Sequence, residues 1–94
     1  MLLLDLREVT LIADYFIIAT VETERQANAI AEEVIQRLKE KALTKPLGVE
    51  GTATSGWLLL DYGDVVIHLF SPKQRAFYQL EELWSNARTV VRIA

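Results

Sequence analysis

The sequence predicts an α/β fold of the α+β kind: a mixed sheet of about five strands with helices packed on it. Three stretches support this. Trp57–Leu60 and Val65–Phe70 are apolar runs joined by Asp61-Tyr62-Gly63-Asp64, which is the pattern of a β-hairpin. Pro72 ends it, because proline has no N–H to offer a ladder. Tyr15–Val21 is aromatic, β-branched or small almost throughout, as suits a strand covered on both sides. Finally, Thr23-Glu24-Arg25-Gln26 has the form of a capping box. Ala27, Ile30, Ala31, Val34 and Leu38 follow at helical spacing, so a helix is predicted to run to about Ala42.

The remaining elements fall between these. Leu2–Leu6 reads as a short first strand at an edge, and Arg7–Asp14 as a connection in which Val9, Leu11 and Ile12 must bury something. Glu24 at the start of the long helix and Lys39 and Lys41 at its end agree with its dipole. Pro46–Glu50 is a weak strand with Leu47 and Val49 facing one way, and Gly51–Gly56 a loop of small residues. Ser71-Pro72-Lys73-Gln74 is a second capping box, with proline where its missing donor costs nothing. The helix it opens carries Phe77, Leu80, Leu83 and Trp84 and ends near Asn86. Thr89–Ala94 holds Val90, Val91 and Ile93 without a clear partner. The order is β-β-α-β-β-β-α in one domain, residues 1–94, and the helix between Val21 and Pro46 permits one parallel crossover.

Two registers are open for the hairpin. A two-residue turn at Tyr62-Gly63 sets Asp61 opposite Asp64, Leu59 opposite Val66 and Trp57 opposite His68. Leu58, Leu60, Val65, Ile67 and Leu69 then form a wholly apolar core face. The other face mixes Trp57, Asp61, Asp64 and His68 with Leu59, Val66 and Phe70, and reads as a surface for a partner rather than a second core. A three-residue turn at Asp61-Tyr62-Gly63 spares Tyr62 a positive φ but moves Trp57 to the face of Val65 and Ile67. The first is the expected register.

Composition narrows the function. A net charge of −3 argues against binding nucleic acid by phosphate neutralisation and favours a basic partner. The absence of cysteine excludes disulfides and thiolate metal sites. Met1-Leu2-Leu3-Leu4 is interrupted at once by Asp5, Arg7 and Glu8, too soon for a signal or transmembrane segment, so a cytoplasmic protein without a transit peptide is expected.

Catalysis finds little support. There is one histidine, and Ser55, Ser71 and Ser85 fall in a loop, a cap and a helix end, so no hydrolytic triad is signalled. Asp61 and Asp64, with Asp14, are conceivable magnesium ligands, but acids beside a glycine turn ordinarily serve the turn. No glycine pattern cradles phosphate. His68 reads as a structural residue or a site neighbour, and Trp57 as either an interface anchor or the cover of a sheet end. Neither a metal nor a cofactor is expected. On residues alone the chain is a small binding module.

Ala13–Thr20, Arg25-Gln26, Pro46–Gly51 and above all Trp57–Phe70, with its Trp-x-x-x-Asp-Tyr-Gly-Asp-Val-Val-x-His segment, together resemble the ribosomal silencing factor family, also called Iojap-like proteins. The resemblance extends over nearly the whole chain. It implies a fold related to nucleotidyltransferases without their chemistry. It also implies a translational repressor that binds the large ribosomal subunit through large-subunit ribosomal protein fourteen and blocks association with the small subunit. Its partner-binding positions correspond to Trp57, Asp61, Tyr62, Gly63 and Asp64, with His68 beside them; in such a docking patch Trp57 is expected to be the anchor and Tyr62 to pack beside it. Two departures stand out. The family's N-terminal helix has no counterpart before Leu2, so either the start is assigned late or the domain lacks a cover, which would expose apolar surface and encourage a homodimer. The family's glycine and serine before the long helix are Val21 and Thr23 here. The alternatives are a degenerate nucleotidyltransferase-fold protein that binds nucleotide through Asp14, Asp61 and Asp64, and a structural homodimer.

Overall fold

The computed structural model of the protein describes residues 2–11, 13–78 and 88–92. In chain order these form β1 (Leu2–Asp5), β2 (Tyr15–Thr20), α1 (Glu24–Ala42), β3 (Gly48–Thr52), β4 (Trp57–Asp61), β5 (Val65–Phe70), α2 (Pro72–Tyr78) and β6 (Arg88–Arg92). The strands make one mixed sheet in the order β3-β4-β5-β2-β1-β6. β2 and β5 are parallel and the other neighbours antiparallel. The predicted α+β class and the parallel crossover through α1 are both present.

Three elements differ from expectation. The sheet has six strands because Arg88–Arg92, the tail without a clear partner, pairs with β1 across a register shift at Leu3/Leu4. β1 is therefore an interior strand. β3 begins two residues later than the predicted Pro46, whose ring nitrogen has no hydrogen for a ladder. The expected stripe residues Leu80, Leu83 and Trp84 and the helix end near Asn86 lie outside the described residues, as does the side chain of Phe77.

The caps form as the sequence predicts. Thr23 Oγ1 accepts from the Gln26 N–H at 3.0 Å, while Gln26 Oε1 accepts from the Glu22 N–H at 2.7 Å, one residue upstream of the reciprocal partner usual in a capping box. Ser71 Oγ caps α2 by accepting from the Gln74 N–H at 3.2 Å. At the other end of α1, Leu43 takes the left-handed conformation, φ 52° and ψ 36°, with its side chain almost wholly exposed. A branched residue there carries a cost that glycine avoids. Leu43→Gly is expected to stabilise the protein by about 0.5–1 kcal/mol, read as a higher melting temperature. An unchanged or lower midpoint would mean that Leu43 makes contacts that offset the strain.

Two cores lie on opposite faces of the sheet. On the helix face, Ala27 and Ala31 of α1 pack with Leu58, Leu60, Ile67 and Leu69. On the far face, Leu2, Leu4, Phe16, Ile18, Val66 and Phe70 form a second buried cluster, joined by Leu6 and Ala13. β2 serves both, with Phe16 and Ile18 on the far face and Ile17 and Ala19 toward α1, so the strand predicted to be covered on both sides is so covered.

Candidate functional site

Glycine decides the hairpin tip. Gly63 has φ +83°, a conformation costly for the tyrosine beside it, and the turn is built around that residue. The Tyr62 N–H donates to the Val65 carbonyl at 2.9 Å and the Asp64 N–H to the Tyr62 carbonyl at 3.1 Å. Asp61 Oδ1 accepts from the Gly63 N–H at 2.8 Å. The tip is thus Gly63-Asp64, one residue beyond the expected turn. Asp61 faces Val66, Leu59 faces His68 and Trp57 faces Phe70, so neither expected register is the one adopted. The displacement in pairing is two residues, an even number, and the side chains of β4 and β5 keep the faces assigned by the Tyr62-Gly63 turn, while Asp64 lies in the turn itself and lines the helix side.

The character of that face is another matter. It was expected to be a partner surface and is instead largely a second core. Val66 and Phe70 are buried, and so is His68, at 4% exposure. Phe16 meets the imidazole edge-on at a centroid distance of 4.7 Å, and Phe70 lies nearly parallel to it at 5.9 Å. Trp57 packs on Phe70 at 5.0 Å and donates its indole Nε1–H to His68 Nδ1 at 3.2 Å. His68 is therefore enclosed beneath the indole and not displayed on a surface. Burial also lowers its pKa from 6.5 to about 4, which keeps the ring neutral at ordinary pH.

What remains accessible is the margin of this face along β4. Trp57, Leu59 and Asp61 alternate outward and are each half-buried. Across the ladder, Thr52 pairs with Trp57, Glu50 with Leu59 and Gly48 with Asp61, and Glu50 and Thr52 are exposed. Gly51, at φ +76°, allows this close approach, because a Cβ there would overlap the Trp57 carbonyl oxygen. The margin therefore sets two apolar side chains among the carboxylates of Glu50, Asp61 and, at the tip, exposed Asp64. Leu59 and Glu50 share this margin, although the sequence alone does not single them out. Strand alternation had already placed Leu59 on the correct face, and only the β3–β4 register could add Glu50.

The predicted residues do not all converge. Trp57 and Asp61 are four residues apart on one strand, about 13 Å. Tyr62 does not pack beside Trp57, since it belongs to the helix face with Leu58 and Leu60. There it lines a largely apolar groove of about 550 Å³ with Ile17, Val34, Leu38, Val65 and Ile67. Its hydroxyl is buried with no hydrogen-bond partner among the described residues, and burial raises its pKa. The Asp64 carbonyl accepts from the Asp14 and Tyr15 N–H groups at 2.8 and 3.0 Å and so ties the tip to β2. Asp14 thus meets the tip through backbone, and among the described residues no group of three or more His, Cys, Asp or Glu is placed to hold a metal ion. Nor, among them, is any helix long and apolar enough to cross a membrane.

Known proteins match both the sequence and this architecture. Residues 1–93 match the family model described as ribosomal silencing factor during starvation. A ribosomal silencing factor of Halalkalibacterium halodurans is 40% identical over 87 residues, which cover 93% of this chain and 74% of that protein. The chloroplast protein Iojap of Zea mays is 42% identical over 76 residues, 81% of this chain and 32% of its own length. A crystal structure of a Chromobacterium violaceum protein superposes with a TM-score of 0.82 at 35% identity, covering 98% of this chain and 76% of that one. With the family model spanning almost every residue, and the Trp57–His68 hairpin inside it, the chain belongs to the ribosomal silencing factor family.

Proposed function

We propose that the protein represses translation by docking on the large ribosomal subunit, through its ribosomal protein fourteen, and occluding the approach of the small subunit. It acts in the cytoplasm on this reading, and no bond is made or broken. Supporting it is the β4 margin, where Trp57 and Leu59 offer apolar area, Glu50 lies across the ladder from Leu59, and Asp61 with the exposed Asp64 adds negative charge toward the tip. A partner with lysines or arginines around an apolar patch complements such a margin. Tyr62 and Gly63 contribute by shaping the tip that carries the two aspartates.

Mixing purified large and small subunits with the protein and separating them on a density gradient provides the test. Added protein is expected to leave subunits unjoined and to travel with the large one. Asp61→Lys combined with Asp64→Lys is expected to weaken docking about tenfold at low salt, with the difference shrinking as salt screens the charges. Docking that ignored both salt and charge reversal would leave these carboxylates without a role. Subunits that join normally in saturating protein would overturn the occlusion mechanism.

A further inference from the structure

Beneath the docking margin lies a polar group in an unexpected place. His68 occupies the centre of the far face, in the row that runs from Ile18 through His68 and Leu59 to Glu50. Its neighbours Phe16, Val66 and Phe70 are hydrocarbon, and leucine or phenylalanine would suit that setting better. The indole Nε1–H is a donor only, so His68 Nδ1 has to be an acceptor, and the neutral ring carries its proton on Nε2. Nε2 is buried with no hydrogen-bond partner among the described residues. A buried donor left in that condition is unfavourable, and a native protein that keeps one gains something elsewhere. Among the described residues, the side-chain hydrogen bond of His68 is to Trp57.

We infer that His68 is a positioning residue: its Nδ1 fixes the orientation of the half-buried Trp57 indole and so presets the docking margin for its partner. Phe70, nearly parallel to the imidazole and also packed on the indole, holds the pair in register from the next row. Without the acceptor the indole loses the hydrogen bond that selects its orientation among those its packing allows, and that selection has to be made again on docking. This inference rests on the docking role proposed for Trp57.

The experiment is a double-mutant cycle in the full chain, with purified large ribosomal subunits as the probe and melting temperature as the control. His68→Leu removes both the acceptor and the buried donor that has no partner among the described residues. It is expected to weaken docking about five- to tenfold while the melting temperature at pH 7.5 holds or rises. His68→Asn, whose Oδ1 replaces Nδ1, is expected to recover most of the affinity. In a Trp57→Phe background, which has no indole N–H, His68→Leu is expected to add nothing. Undiminished docking by the Leu variant, a full further loss on top of Trp57→Phe, or an Asn variant as weak as Leu would each overturn the inference. Should His68→Leu fail to fold, the Asn variant decides. If Trp57→Ala itself docks normally, it is the docking reading that fails, and the two failures are thereby told apart.

Discussion

Acidification from pH 7 to pH 4 is expected to remove about 3 kcal/mol of folding stability through His68 alone. The ring has a pKa near 6.5 when the chain is unfolded and about 4 in the folded protein, because burial disfavours its charged form. Between those values the unfolded chain binds the extra proton, so stability is complete above pH 6.5 and declines as the pH falls toward 4. Denaturant titrations across this range check it, and His68→Leu is expected to flatten the profile. Parallel wild-type and Leu profiles would show that the imidazole protonates in the folded state without penalty. Asp5 acts lower down. Hydrogen bonds from Arg7, and then from Arg88, hold its carboxyl well below the usual carboxylate range, so its contribution is complete above pH 4 and is lost beneath it.

Trp57→Ala is expected to reduce affinity for large subunits about thirtyfold, equivalent to about 2 kcal/mol. Because the indole is half-buried against Phe70 and His68, the same change is expected to lower stability by about 2 kcal/mol, short of what a wholly buried tryptophan costs. Binding measured well below the melting temperature of the variant separates the two losses. Normal affinity would assign Trp57 to covering the sheet end. A stability loss near 5 kcal/mol would mean that the indole acts as full core.

How far these features could be read in the residues depended on whether the deciding interaction was local. The caps of α1 and α2 satisfy donors within four positions along the chain, and their residue types announce them. The two faces of the hairpin followed from alternation and survived a mistaken turn, because moving a turn by one residue moves the pairing by two. Burial of the far face did not follow. One histidine and two aspartates gave that face a polar look, yet His68 is closed in by Phe16, from a strand some fifty positions away. β6 was missed for a similar reason. Its valines lie between arginines with no turn signal, and their partner is at the opposite end of the chain. For the candidate margin, residue types pointed to Trp57 and the tip acids, whereas the place of Glu50 beside Leu59 emerged only when β3 and β4 were aligned.

The placement of β1 between β2 and β6 has a consequence during synthesis. β3, β4 and β5 form a local meander that can close as soon as it leaves the ribosome, and β1 can pair with β2 early. The outward edge of β1 has to wait for Arg88–Arg92, more than eighty positions further along the chain. Until then a row of apolar leucines borders an unpaired edge, the arrangement most prone to recruiting a strand from another nascent chain. Translation speed over the codons that lead up to Arg92 thus bears on the yield of folded protein, and a stall shortly before Arg88 prolongs the exposure of that edge.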